Sequence, residues 1–185
     1  FGGSDEARQL ARVGLSIADA VASFEANGFR VVSINRQGEA AGIKGYPSVE
    51  IVEVPPGGVY PNKYGPNFEQ LLAFFGDAPG AIVNADIFML ASDVAAVIAA
   101  QPGKVLLARR LDVSSEASSV IGSYNRGIDG VFFSAGALAE IAADPDVGAF
   151  QLGTPYWDAL IPVVASLHRE VEFVAAPFLL HEIHP

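Results

Sequence analysis

Asp86 sits at the tip Asn84-Ala85-Asp86 inside "GAIVNADIFML", residues 80–90, a run that is apolar everywhere else. A carboxylate and an amide set into such a run need hydrogen-bond partners or a ligand. In the structural reading Asp86 caps the next turn or accepts backbone N–H bonds. In the chemical reading it binds a hard divalent cation, weakly alone and better when substrate phosphates supply further oxygens. Asn84 would then orient that carboxylate or contact a ribose.

Four other places have residue types suited to chemistry. The closing "HEIHP" holds His181 and His184, two of only three histidines in the chain. Neutral imidazoles ligate a metal near pH 7 and protonated ones pair with phosphate, although such a pair is also common in a solvated tail. "GTPYWDALI" sets Asp158 beside Trp157, the only tryptophan, at a helix start. Helix dipole and aromatic anchoring account for that pair structurally; a general base beside an aromatic plate for a sugar ring accounts for it functionally. "RGIDGVFF" places Asp129 just before a strand, near glycines that permit close backbone approach, and its structural alternative is an Asx turn. Arg109 and Arg110 in "LLARRLD" are adjacent strand residues, so they face opposite sides and at most one reaches a cleft.

Composition limits what these residues can serve. A chain of 185 residues with 51% hydrophobic content fits one domain, residues 1–185, around one sizeable core. A formal charge of −10 with only 11 Lys and Arg argues against nucleic acid as a partner, because phosphate tracking needs clustered cations. With no cysteine, disulfides, thiolate metal sites and a Cys nucleophile are excluded. No apolar run reaches the roughly 18 residues needed to span a bilayer, and the first residues lack a signal-peptide pattern. The plain expectation is a soluble cytoplasmic protein without a transmembrane segment.

The elements that must position these residues alternate. "LSIADAVASFEANGF" has helical spacing and stops at Asn27-Gly28; "RVVSIN" and "VEIVEV" read as strands; "NFEQLLAFF" is a helix with Asn67 as its cap. The run 80–90 reads as a third, central strand because its apolar content is nearly continuous. "SDVAAVIAA" is a helix behind Ser92, "KVLLARRLDV" a fourth strand, and residues 114–128 a mobile Ser/Gly-rich loop that would order over a ligand. "GVFFSA", "GALAEIAAD", a short "FQLG" strand and "PYWDALIPVVASLHR" follow, then two short strands around Pro177. This order predicts an α/β fold, a three-layer α/β/α sandwich with a mostly parallel central sheet. Such sheets bind ligands at the carboxyl ends of their strands, which puts Asn35 and Asp86 in one cleft on adjacent parallel strands.

Taken in order, "VVSIN" with Glu39, "VNADIF", "LLARRLD", "GIDGVFF", "FQLGTPYWDALIPVVASLHREVEFV" and "HEIH" resemble a glycosyltransferase-like family with the GT-A nucleotide-diphospho-sugar transferase fold, over about residues 15–185. The resemblance implies a GT-A/Rossmann-like architecture in which Asn84-x-Asp86-Ile87 stands where the Asp-x-Asp motif lies. It implies that Asp86 meets Mn²⁺ or Mg²⁺ and the donor diphosphate, with His184, or after it His181, completing that site. Asn35 and Arg36 would hold the nucleobase and ribose, Asp129 would face the donor sugar, and Asp158 would deprotonate the acceptor hydroxyl. The expected function is transfer of a sugar from a nucleotide-sugar donor to an acceptor of unknown identity. The alternatives are a degenerate GT-A-like binding or assembly module without catalysis and, further behind, a metallophosphoesterase.

Overall fold

The structure, a computed structural model, describes residues 17–38, 48–55, 66–90, 93–113, 120–123, 128–147, 150–152, 157–174 and 178–183. Helix α1 spans Ile17–Ala26 and ends as its sequence predicts, with Gly28 at φ +84 and its N–H donating to the Glu25 carbonyl at 2.9 Å. Strands β1 (Val32–Arg36) and β2 (Glu50–Val54) form a parallel pair. Helix α2 (Phe68–Phe75) opens with a complete capping box. Asn67 accepts from the Gln70 N–H at 2.8 Å, and the Gln70 side chain accepts from the Asn67 N–H at 2.9 Å.

The run from residue 80 is not one strand. β3 (Gly80–Val83) and β4 (Ile87–Met89) are separated at the polar tip and belong to different sheets. The next apolar run divides in the same way at Arg109, into β5 (Lys104–Ala108) and β6 (Arg110–Val113), with α3 (Val94–Ala100) before it. Asp93 occupies the N-cap position of α3 without a side-chain capping bond, and Ser92 lies outside the described residues. β7 (Val120–Ser123) falls inside the stretch expected to be loop and pairs antiparallel with β6. Ile128, at the end of that stretch, is buried in the core, and 114–119 and 124–127 lie outside the described residues. Then come β8 (Gly130–Phe133), α4 (Ala137–Ala142), α5 (Trp157–His168), β9 (Glu170–Phe173) and β10 (Leu179–Glu182). The expected "FQLG" strand is reduced to a single bridge between Gln151 and Asn67, and Pro155 lies outside the described residues.

The fold is mixed α/β, and its described strands form three sheets, ordered β1-β2, β4-β10-β6-β7 and β3-β8-β5-β9. The single, mostly parallel central sheet expected from sequence is not what the described strands form. β8 pairs antiparallel with both β3 and β5, while β9 pairs parallel with β5. It follows that β3, β5 and β9 share one direction and β8 opposes them. In the other four-stranded sheet β10 is parallel to β6 and antiparallel to β4. Among the described strands β3 and β4 also lie at the edges of their sheets rather than at their centres.

Burial explains why the sequence pattern misled on this point. Val105, Leu107, Val131 and Phe133 face one core with Phe68 and Leu71 of α2, Leu138 and Ile141 of α4, and Ile161 and Val164 of α5. Their neighbours Leu106, Ala108 and Phe132 face a second core with Phe24 of α1 and Val94 and Ile98 of α3. Helices therefore cover both faces of the inner strands β8 and β5, which are apolar almost throughout whichever way they run, while the edge strand β9 alternates Glu with apolar residues and is largely exposed. Phe132 and Phe133 point into opposite cores at 0% and 1% exposure, and enclosing side chains of that size contributes about 1.5–3 kcal/mol each.

Candidate functional site

The two cut runs and the start of β8 meet at one rim. Val83 pairs with Gly130, and Gly130 pairs with Ala108. The residues that follow β3 and β5, and the residue that precedes β8, therefore all lie at the carboxyl ends of the three co-directional strands. Asp86 follows β3, Arg110 follows β5, and Asp129 precedes β8. β10 supplies a fourth side chain from the neighbouring sheet. Its His181 is in register with Asp112 of β6 on one side and Ile87 of β4 on the other.

A continuous polar chain results. Arg110 Nη1 donates to Asp129 Oδ1 at 2.6 Å, and Arg110 Nε donates to Asp112 Oδ1 at 2.9 Å. His181 Nδ1 lies 3.2 Å from that same Asp112 oxygen, and His181 Nε2 lies 3.2 Å from Asp86 Oδ2. The Asp129 side chain is 4% exposed, Arg110, Asp112 and His181 are between 10% and 18%, and Asp86 is 41%. Asp86 is thus the solvent-facing end of a buried network, where a dissolved ligand would first make contact.

Electrostatics within the chain are coupled. The hydrogen bond to Asp86 raises the pKa of His181 above its ordinary value, against opposing contributions from burial and the charge of Arg110. Burial alone would raise the Asp86 pKa, but the hydrogen bond and charge of His181, together with a backbone hydrogen bond and the charge of Arg110, lower the carboxyl below its ordinary value. Burial raises the Asp129 pKa, and Arg110 only partly cancels the effect. The two ring nitrogens of His181 each face a carboxylate oxygen, Nε2 that of Asp86 and Nδ1 that of Asp112.

This pairing gives a pH prediction with a definite sign. His181, with its folded pKa raised, contributes stability that is full below about 6.5 and is lost as pH rises through the folded value. Asp86, with its folded pKa depressed, contributes stability that is full above about 3.8 and is lost as pH falls through its folded value. The pair is most stabilising between those limits. Urea midpoints of the wild type should fall between pH 6 and 8.5 by more than those of His181→Gln, and equal slopes would show that the ion pair does not form in solution.

No known family model matches this chain, and no curated protein matches it significantly. What the cluster can do follows from its own chemistry. Asp86 and His181 offer one hard oxygen and one imidazole nitrogen side by side, a donor pair suited to a divalent cation whose remaining positions are filled by ligand oxygens and water. Among the described residues no three His, Asp or Glu side chains converge to hold an ion by themselves. The chemistry of that donor pair, one carboxylate oxygen and one imidazole nitrogen, is compatible with a divalent cation.

Of the residues singled out by sequence, the structure brings together Asp86, His181, Arg110 and Asp129. Arg109 points elsewhere, its guanidinium stacked 5.0 Å from the Phe173 ring, in keeping with the opposite facing of adjacent strand residues. Asn84 is half-buried and begins the turn, its carbonyl accepting from the Ile87 N–H at 3.3 Å. Asn35 pairs across β1 with Glu53, and its amide donates to the Ser33 carbonyl at 3.0 Å. Among the described residues the strand beside β1 is β2, so the expectation that Asn35 and Asp86 end adjacent strands is not met. Arg36 closes β1. Trp157 packs against the core that includes Ile161, and Asp158 lies half-buried in the first turn of α5. No contact found among the described residues joins either to the cluster. His184 lies outside the described residues. Sequence reasoning missed Asp112 entirely. The signal available was Arg110-x-Asp112 on a strand, where residues two apart share a face.

Proposed function

We propose that this chain is a metal-dependent glycosyltransferase that takes a nucleotide-diphosphate-sugar donor and transfers the sugar to an acceptor hydroxyl, on a GT-A-like fold. The observation that carries the reading is Asp86: a carboxylate at the open end of a buried polar chain, beside the Nε2 of His181, at the carboxyl rim of the strands. That rim is where open α/β sheets hold their ligands. The bound cation would supply neutralisation of the leaving diphosphate. Asp86 and His181 would hold it. Arg110 already bonds two carboxylates, Asp112 and Asp129, so a diphosphate arriving at Asp86 would draw its countercharge mainly from the cation. Asp129 anchors Arg110 behind that site. Asp158 is the proposed general base on the acceptor oxygen, with Trp157 beside it and Asn35, Arg36 and Asn84 on the nucleoside side. His184 stands next to this set in the sequence.

The second reading is a GT-A-like module that binds a nucleotide sugar without turning it over. Calorimetry with UDP-sugars and GDP-sugars, with and without Mn²⁺, tests the first reading, which requires binding that depends on the metal. Asp158→Asn separates the two. In the transferase it should leave donor affinity within about twofold and lower turnover by about 10²–10⁴-fold, the range associated with a positioned base. Metal-dependent binding with no turnover by the wild type for any acceptor hydroxyl would favour the module. Absence of binding with every nucleotide and metal would reject both.

A further inference from the structure

We infer that Asp112 is the positioning residue of the cation site: it accepts the Nδ1 proton of His181 and thereby aims the Nε2 lone pair at the ion held by Asp86. This inference rests on the metal-dependent reading above. A histidine binds a metal through one nitrogen, and the hydrogen bond made by the other decides which one it is. Here the two nitrogens are already divided, with Nδ1 3.2 Å from Asp112 Oδ1 and Nε2 3.2 Å from Asp86 Oδ2. An ion shared by Asp86 and His181 needs the Nε2 lone pair, so the remaining proton must sit on Nδ1, against Asp112.

Backbone register enforces this arrangement. β6 and β10 run parallel with Asp112 opposite His181, so their side chains leave the same face, and Arg110 two residues back shares it. Asp112 is fixed in turn by Arg110 Nε at 2.9 Å, and Arg110 is anchored at its far side by Asp129 at 2.6 Å. Arg110 also draws on the negative charge of Asp112. What Asp112 offers His181 is therefore chiefly a correctly placed acceptor oxygen, and a neutral amide oxygen at the same position should serve nearly as well.

The test uses Mn²⁺ alone, titrated into the full chain and followed by electron paramagnetic resonance of the free ion, for wild type, Asp112→Ala and Asp112→Asn. Loss of an outer hydrogen-bond partner typically weakens metal binding by about 10–100-fold, and that is the expected loss for Asp112→Ala. Asp112→Asn should recover most of it. In the wild type loaded with Cd²⁺, nitrogen NMR of His181, assigned against His181→Gln, should show the metal on Nε2 and the proton on Nδ1. In Asp112→Ala the same spectrum should show the metal distributed over both nitrogens, a change that a merely structural role for Asp112 would not produce. Asp112→Ala binding Mn²⁺ as tightly as wild type, or metal on Nδ1, would overturn the positioning role while leaving the metal site standing. A wild type that takes up no Mn²⁺ would overturn both. Should thermal melting show Asp112→Ala unfolded, Asp112→Asn decides: near-wild-type affinity supports the acceptor role, and a folded variant that no longer binds rejects it.

Discussion

In Asp86→Asn, Mn²⁺-dependent binding of a nucleotide sugar is expected to fall by more than about 100-fold, because outer partners of metal ligands already cost 10–100-fold and Asp86 is proposed as a ligand itself. The amide keeps the shape and hydrogen-bonding reach of the carboxylate but offers the ion no charge. Stability should change little. The Asp86 side chain is 41% exposed, so its pairing with His181 is partly screened, and pairs of that kind contribute about 0–1 kcal/mol. Calorimetric titration with UDP-sugar or GDP-sugar and Mn²⁺, beside a urea melt of the same variant, measures both halves. If the variant unfolds, and the wild type binds no nucleotide with any metal, Asp86 is a structural cap on the turn after β3 and the transferase reading falls.

Helices were the most legible part of this fold because their signals are local. Asn27-Gly28 ends α1 and Asn67 begins α2, and each signal acts within one turn of the residues it governs. Strand boundaries were legible only in part. Polar residues mark the breaks at Asn84-Ala85-Asp86 and at Arg109, but nothing local tells whether such a residue ends a strand or sits within a longer one, so two short strands passing from sheet to sheet read as one. The same runs concealed direction. With helices on both faces, β8 is apolar throughout although it opposes its neighbours. β7 went unread because Val120-Ile121-Gly122-Ser123 has little apolar patterning and is held by its pairing with β6.

The site shows the same division between local and distant information. Asp86 stands out because one carboxylate interrupts an apolar run, and His181 because histidine is rare here. That His181 meets Asp112, 69 residues earlier, is a consequence of strand register between β6 and β10, which no spacing in the sequence reports. The preference for His184 over His181 came from resemblance alone. His181 is the one found in the cluster, and His184 lies outside the described residues.

Replacing Arg110 with Met should destabilise the fold by about 3–5 kcal/mol, the cost of removing one partner from a buried ion pair and leaving the other uncompensated. The uncompensated group is Asp129, whose side chain is 4% exposed and whose Oδ2 has no hydrogen-bond partner among the described residues. Burial already raises the Asp129 pKa with Arg110 present, and without the guanidinium the rise must be larger. A raised folded pKa means the folded state holds its proton more tightly than the unfolded chain. The variant should therefore regain stability as pH falls below the folded pKa toward the ordinary carboxylate value of 3.8, and lose it as pH rises through the folded pKa, over a wider window than the wild type. Adding Asp129→Asn removes the stranded charge, so the double variant should recover a large part of the loss at pH 7 and shed the extra pH dependence. Urea unfolding of the single and double variants at pH 5 and pH 7.5 measures this directly. Additive losses, with no rescue and no change of slope with pH, would show that Arg110 stabilises by packing its aliphatic stem rather than by answering the charge of Asp129.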